Sequence, residues 1–276
     1  MIDLGINSGP STLESTTLDL DEMQLLVERL ELAELPVVLD ALGRYDGEDA
    51  HAAAMVGAEA SLTAKGLLDG REIHSELADR LHLLARPHWV IAMRLFIGDS
   101  ISRLCVAKGD DVTILVLRGP DSYVISDAGH DLTAKVVAAL GPADALDING
   151  LNAPTAALGK IFDDSGDAHV TAKRLAEIGV PPREAGTVAS AMVHCYAHCE
   201  IVGMIYGHGT REQAENHIAV FDTKDGRFIS TASVAADGTK WSALSTGTDA
   251  RIRQALQALI ESLPEREVFP HASTGS

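Results

Sequence analysis

The densest run of reactive side chains is His194-Cys195-Tyr196-Ala197-His198-Cys199. Imidazole and thiolate are the usual ligands of zinc. On a helix, His194/His198 and Cys195/Cys199 would each share a face, four residues apart. Geometry weighs against a metal site. One short helix cannot wrap four donors tetrahedrally around an ion. The run also lies where a helical pattern gives way to a strand pattern, which breaks the four-residue alignment. The expectation is core packing and strand entry, with no metal.

The other candidates are weaker. Asp163-Asp164-Ser165-Gly166-Asp167 has the composition of a calcium loop. Its glycine is displaced to Gly166, however, and Arg174 stands where a bidentate Glu is needed. Gly203, Gly207 and Gly209 cluster after a strand pattern and before no helix, so they cannot present a helix N-terminus to phosphate. No Ser lies in a Gly-x-Ser-x-Gly elbow. The eleven His residues are otherwise scattered singly. Nothing demands a cofactor, and no catalytic group is assigned.

Composition narrows the partners. The chain has 276 residues, 46% hydrophobic and 22% charged, with a formal net charge of -18. Such acidity disfavours nucleic acid, which needs clustered Lys and Arg, and it disfavours anionic membrane surfaces. The acid is concentrated early. Asp3, Glu14, Asp19, Asp21, Glu22, Glu28, Glu31, Glu34, Asp40, Asp46, Glu48 and Asp49 face only Arg29 and Arg44 in the first 50 residues. Such a run reads as a solvated helix face or an acidic docking surface. Cys105, Cys195 and Cys199 form no disulfide framework and fit a reducing compartment. Met1-Ile2-Asp3-Leu4-Gly5 lacks a signal-peptide pattern. No run approaches the ~18 apolar residues needed to span a bilayer, so membrane insertion is not expected. A cytoplasmic location is the expectation.

The elements that would position these residues come in two matching sets. Leu20, Met23, Val27 and Leu30 recur at helical spacing behind Asp19 and Asp21 as caps. A second helix is predicted up to a break at Gly43 or Gly47, a third over Ala50 to Lys65, and a fourth from Ile73 to Leu84, stopped before Pro87. Strands are predicted over Trp89–Ile97, Ser102–Ala107, Val112–Leu117 and Tyr123–Ser126, with turns at Gly98-Asp99, Lys108-Gly109-Asp110-Asp111 and Gly119-Pro120-Asp121. Leu132 to Leu140 closes the set with a helix. The second set repeats the order. Helices are expected over Thr155–Ile161, His169–Ile178 and Arg183–Val193. Strands follow near Cys199–Tyr206, Asn216–Phe221, Arg227–Val234 and Trp241–Ser245. A last helix carries Ile252, Leu256, Leu259 and Ile260.

The fold class predicted is α+β: a duplicated unit with a pseudo-twofold, a central antiparallel β-sheet and two helical bundles flanking it. Short turns between successive strands argue against a parallel sheet. Residues 1–143 and 144–263 are the expected repeats of one compact fold. Asp144–Asn152 is the expected junction, and 264–276 the expected tail. Gly203 inside a strand implies close backbone approach or a bulge.

Several stretches resemble the EspG family of ESX (type VII) secretion-associated proteins. In the first half they are Gly66-Leu67-Leu68-Asp69-Gly70, Leu77 to Leu84, Ala85-Arg86-Pro87, Ser102-Arg103-Leu104-Cys105-Val106-Ala107 and Gly109-Asp110. In the second half they are Gly203, Asp222-Thr223-Lys224-Asp225-Gly226-Arg227-Phe228, Trp241 and Asp249. The likeness runs from about Leu20 to Leu263. Two places depart from the family's pattern. Cys199-Glu200 stands where the family often has basic residues, and Ser245-Thr246-Gly247-Thr248-Asp249 lacks the usual Pro. These bear on which client is recognised more than on the fold.

The resemblance implies a cytosolic chaperone, not an enzyme. It would bind PE–PPE heterodimers through the hydrophobic tip of the PPE subunit and direct them to an ESX machine. The family's client surface lies on the sheet, its hairpin loops and the second helical bundle. Alternation along Arg227–Val234 puts Phe228, Ser230, Ala232 and Val234 on one side. Ile229, Thr231 and Ser233 lie on the other, which is taken as the exposed one. His217 and Ala219 are their expected neighbours on the preceding strand, and Lys108 and Asp110 sit on the first-half hairpin. These seven are the candidate partner-binding residues. Two other readings stand beside this one: a small-molecule hydrolase or metal-binding regulator with a site between the repeats, and a module that dimerises edge to edge.

Overall fold

The computed structural model describes residues 13–41, 45–207 and 210–264. The first set of elements is β1 (Ser15–Asp19), α1 (Leu20–Arg29), a 3-10 turn (Val37–Leu39), α2 (Glu48–Ala64), the small hairpin β2 (Leu68–Asp69) and β3 (Glu72–Ile73), α3 (Ser75–Ala85), β4 (Trp89–Ile97), β5 (Ser100–Lys108), β6 (Thr113–Arg118), β7 (Ser122–Asp127) and α4 (Leu132–Leu140). The second set is β8 (Leu151–Pro154), α5 (Thr155–Phe162), α6 (Ala168–Glu177), α7 (Pro182–Val193), β9 (Cys195–Gly207), β10 (Thr210–Thr223), β11 (Gly226–Val234), β12 (Lys240–Thr246) and α8 (Asp249–Glu261).

Local chemistry accounts for many of the boundaries. Asp19 and Glu22 form a reciprocal capping box at the start of α1. Asp131, Asp167 and Thr248 cap α4, α6 and α8 through side-chain oxygens. Pro182 opens α7 at a position where a missing N–H costs nothing. Asp167 is thus a helix cap, and Asp164 pairs with Arg174 at 3.1 Å, so the Asp163–Asp167 run is a helix connection.

Among the described residues, ten strands form one antiparallel sheet in the order β1-β7-β6-β5-β4-β9-β10-β11-β12-β8. Read outward from the β4–β9 contact, the order is the same on both sides: four consecutive strands, then the strand that opened the set. The fold is therefore α+β, with the duplicated arrangement and the flanking bundles expected. Several elements differ from expectation, among them the hairpin β2–β3, which was not predicted and takes Ile73 out of the fourth predicted helix, so that α3 starts at Ser75. β1 and β8 close the two outer edges and were not predicted, and β8 begins inside the expected junction. β9 starts at Cys195, not Cys199. Between α1 and α2 the described residues hold no second full helix but the 3-10 turn, because Pro36 interrupts the backbone bonding. Gly43, Gly209 and residues 265–276 lie outside the described residues. Among the described residues no helix is long and apolar enough to cross a membrane.

The two faces of the sheet are covered differently. On one, the two-helix face, Ile91, Met93, Leu104, Ile201, Ile218, Val220 and Ile229 pack beneath Val136 and Leu140 of α4 and Ile252, Leu256 and Leu259 of α8. On the other, the bundle face, α1–α3 cover Val90, Cys105, Val116 and Ile125, while α5–α7 cover Phe228 and Leu244. The two bundles sit over the outer strands. The middle of β4 and β9 on this face carries half-buried and exposed side chains between them.

One buried ion pair locks the end of the first set onto the second. Arg227 is 1% exposed and meets Asp222 through Nε at 2.5 Å and Nη2 at 2.9 Å. Its remaining donors reach the carbonyls of Gly141 and Leu140 at the C-terminus of α4. The Arg227 backbone bonds Asp144 and Leu146, and its carbonyl also accepts from Gly247 N. Gly226, at φ +129, and Gly247 are required there. A Cβ on either would lie 2.6 Å or less from backbone or side-chain atoms of this clasp.

Candidate functional site

The structure separates the residues of the reactive run. α7 ends at Val193, His194 caps it, and the rest forms the start of β9. Strand alternation sends Ala197 and Cys199 into the two-helix core and His198 to the opposite face. Burial pushes the Cys199 thiol pKa well above its ordinary value, so it is a protonated core group. His194 points to Asp225 at 3.4 Å. Among the described residues no three His, Cys, Asp or Glu side chains are placed to share a metal ion.

The candidate partner-binding residues fall in three places. Lys108 and Asp110 occupy the β5–β6 turn, where Lys108 Nζ donates to the Asp110 carbonyl at 3.0 Å and His88 contacts the Asp110 carboxylate. Ile229, Thr231 and Ser233 lie on the two-helix face. Ile229 is 2% exposed and belongs to the core, which corrects its expected exposure. Thr231 lines a cleft of about 300 Å³ beside α8, with Ile218, Arg251 and Gln254. His217 and Ala219 sit on the bundle face, opposite Val202 and Glu200 of β9. Neither is in register with Thr231, whose partners are Ile218 and Ala243, although His217 also borders the cleft that Thr231 lines. Directly opposed residues share a face, and the sequence does not display register.

The bundle face contains the larger open site. Between the bundles lies a groove of about 420 Å³, floored by Ala92, Arg94 and Phe96 of β4 and Glu200, Val202 and Met204 of β9. Its wall is the segment Pro36–Asp40, held from beneath by buried Leu39 and by Tyr123 Oη donating to the Leu39 carbonyl at 3.3 Å. Asp40 adopts a left-handed conformation at φ +48, which turns the chain at the wall's end. Val37 projects from the wall and is 65% exposed, an uncovered apolar side chain at the rim.

The floor mixes rings and charges. Phe96 stacks on His198 with centroids 4.6 Å apart, and the Arg94 guanidinium lies 5.9 Å from the Phe96 ring. The ring row continues across the strands, because His198 opposes Phe221 and Phe221 stacks on Phe228 at 4.8 Å. Phe162 of α5 meets Phe221 edge-on, which ties the row to the second bundle. None of the seven candidate partner-binding residues lines this floor, and of its residues the sequence reading had singled out just Glu200, as a departure from the family pattern. The available signal was Arg94, the one charge in Trp89–Ile97.

Such a scaffold is a doubled α+β unit presenting a broad, shallow surface, and comparison places it. The EspG family profile matches residues 19–258, and the chain belongs to that family. It is 26% identical over 264 residues to the ESX-1 secretion-associated protein EspG1 of Mycobacterium tuberculosis, covering 92% of this chain and 89% of that protein. It is 25% identical over 268 residues to the ESX-3 secretion-associated protein EspG3 of Mycolicibacterium smegmatis, covering 95% and 90%. The solved structure of the Mycobacterium tuberculosis type VII secretion system chaperone EspG5, in complex with the PE25-PPE41 dimer, has the same fold. It aligns with a TM-score of 0.76 at 14% identity, over 94% of this chain and 100% of that one.

Proposed function

We propose that this protein is a cytosolic secretion chaperone that binds a PE–PPE heterodimer by the apolar end of its PPE subunit. It keeps the heterodimer soluble and directs it to an ESX type VII secretion system. It is not an enzyme. The observation that carries the reading is the groove on the bundle face, lined by no residue of an α-helix and with its apolar rim at Val37, in a chain of the EspG family. The EspG5 complex supports it, since that chaperone was solved with a PE–PPE dimer.

The physics fits. A helical client with an apolar end self-associates in water, and covering that end removes the exposed patch. A standard specific interface buries roughly 800 Å² per partner. The groove floor, the ring row and the second bundle offer a continuous surface for it. His217 and Ala219 lie on this surface, beside the floor, and are retained in the proposal. Thr231 and Ser233 face the other way. The Lys108–Asp110 turn lies by Trp89 at one end of β4, apart from the ring row, and is proposed only as an outer contact.

The test is co-expression with each PE–PPE pair of the host, followed by co-purification. One pair is expected to be captured as a 1:1 complex with the chaperone. Capture of none would refute the reading.

A further inference from the structure

Three arginines of the groove region each meet a carboxylate of the same chain. Arg94 reaches Glu200 at 2.8 Å, Arg103 lies 3.5 Å from Asp40, and Arg211 pairs with Glu34. In a chain of net charge -18, a groove with its charges matched is a local exception. The Arg103 pair joins the wall's end at Asp40 to β5, and the Arg211 pair joins Glu34, just before the wall, to β10. Arg94 and Glu200 are different. They oppose each other in register on β4 and β9, in the floor, with side chains 55% and 48% exposed.

In water such a pair contributes little. Beneath a partner that excludes water, the same pair decides what can be covered. A lone charge is costly to bury, whereas one hydrogen-bonded to its opposite is tolerated.

We propose that Glu200 is a selectivity residue: by neutralising Arg94 it fits the floor to an uncharged client end and rejects one carrying a carboxylate there. This rests on the client-binding reading above and adds the charge that the client's end must have. Without Glu200, Arg94 becomes a single cation under the client and favours an acidic end. Without Arg94, Glu200 favours a basic one. The wall pairs are untouched in either case.

The experiment uses Glu200→Gln, Arg94→Gln and the double variant in the full chain. Each is titrated against the PE–PPE heterodimer that co-purifies with the unaltered chain. Each is also titrated against versions of that heterodimer with one Asp or one Lys placed at the PPE end. Each single variant is expected to bind the unaltered heterodimer about tenfold or more weakly, as when one partner of a covered charge pair is removed. The double variant is expected to recover most of that loss. Glu200→Gln should prefer the Asp version and Arg94→Gln the Lys version. The preference is a ratio measured on one chain, so a loss of folded protein cancels from it. Unchanged preferences across all four chains overturn the proposal. Failure of the unaltered chain to capture any heterodimer overturns instead the reading on which it rests.

Discussion

At the scale of single residues, the Asp222-Thr223-Lys224-Asp225-Gly226-Arg227 run is a clasp. A turn with this composition reads in sequence as an exposed hairpin, yet Arg227 is among the largest fully buried side chains. Asp222 and the carbonyls of Leu140 and Gly141 satisfy its guanidinium. Asp222 also holds the Arg227 pKa above its ordinary value. Removing one partner of a buried pair leaves an uncompensated charge, so Asp222→Ala should cost about 3–5 kcal/mol in urea unfolding. A loss below about 1 kcal/mol would place the clasp among surface pairs. The sequence made the motif visible but not its burial, because Leu140 and Gly141 lie more than 80 positions away and nothing local announces them. His198 and Cys199 show the converse. Their types drew attention, and strand alternation alone sends them to opposite faces.

At the scale of elements, periodicity carried most of the architecture. β4 runs over the predicted span, α6 and α7 lie within a residue of theirs, and α8 carries the predicted Ile252, Leu256, Leu259 and Ile260, whereas α3 starts two residues late because Ile73 belongs to β3. Edge strands were invisible for a physical reason. β1 buries little beyond Thr16 and Leu18, and β8 is four residues ending in Pro154, which an outermost strand tolerates. Gly203 was legible in kind. β10 has a bulge opposite it, between Gln213 and His217, and a Cβ at Gly203 would lie 2.9 Å from Leu263 and 3.2 Å from Ala214. Gly203→Val should therefore overpack the junction of β9 with the end of α8, at a cost of about 1–3 kcal/mol. Thermal unfolding checks it, and an unchanged melting temperature would show that Leu263 moves aside freely.

At the scale of the whole molecule, the unequal covering of the two faces matters most. Register could not be read from the chain, so the candidate residues were divided between the two faces of the sheet. The groove side is distinguishable by experiment. Val202→Glu places a charge in the floor and should abolish capture of the PE–PPE heterodimer in co-purification. Thr231→Glu, beside α8 on the far face, should leave capture intact. The reverse result would move the proposed surface to the two-helix face.

The floor is assembled from β4 of one set and β9 of the other, paired through nine residues of each. A protein holding just one such set would own half of a floor. It could complete one only by laying its β4 against the same strand in a second copy, and the resulting trough would be identical from either end. Joining both sets in one polypeptide frees the two sides to differ. Here one side has become a wall bearing Val37, and the other a line of rings leading to Phe162. An asymmetric trough can tell the two ends of an incoming rod apart, which a symmetric pair of copies could never do.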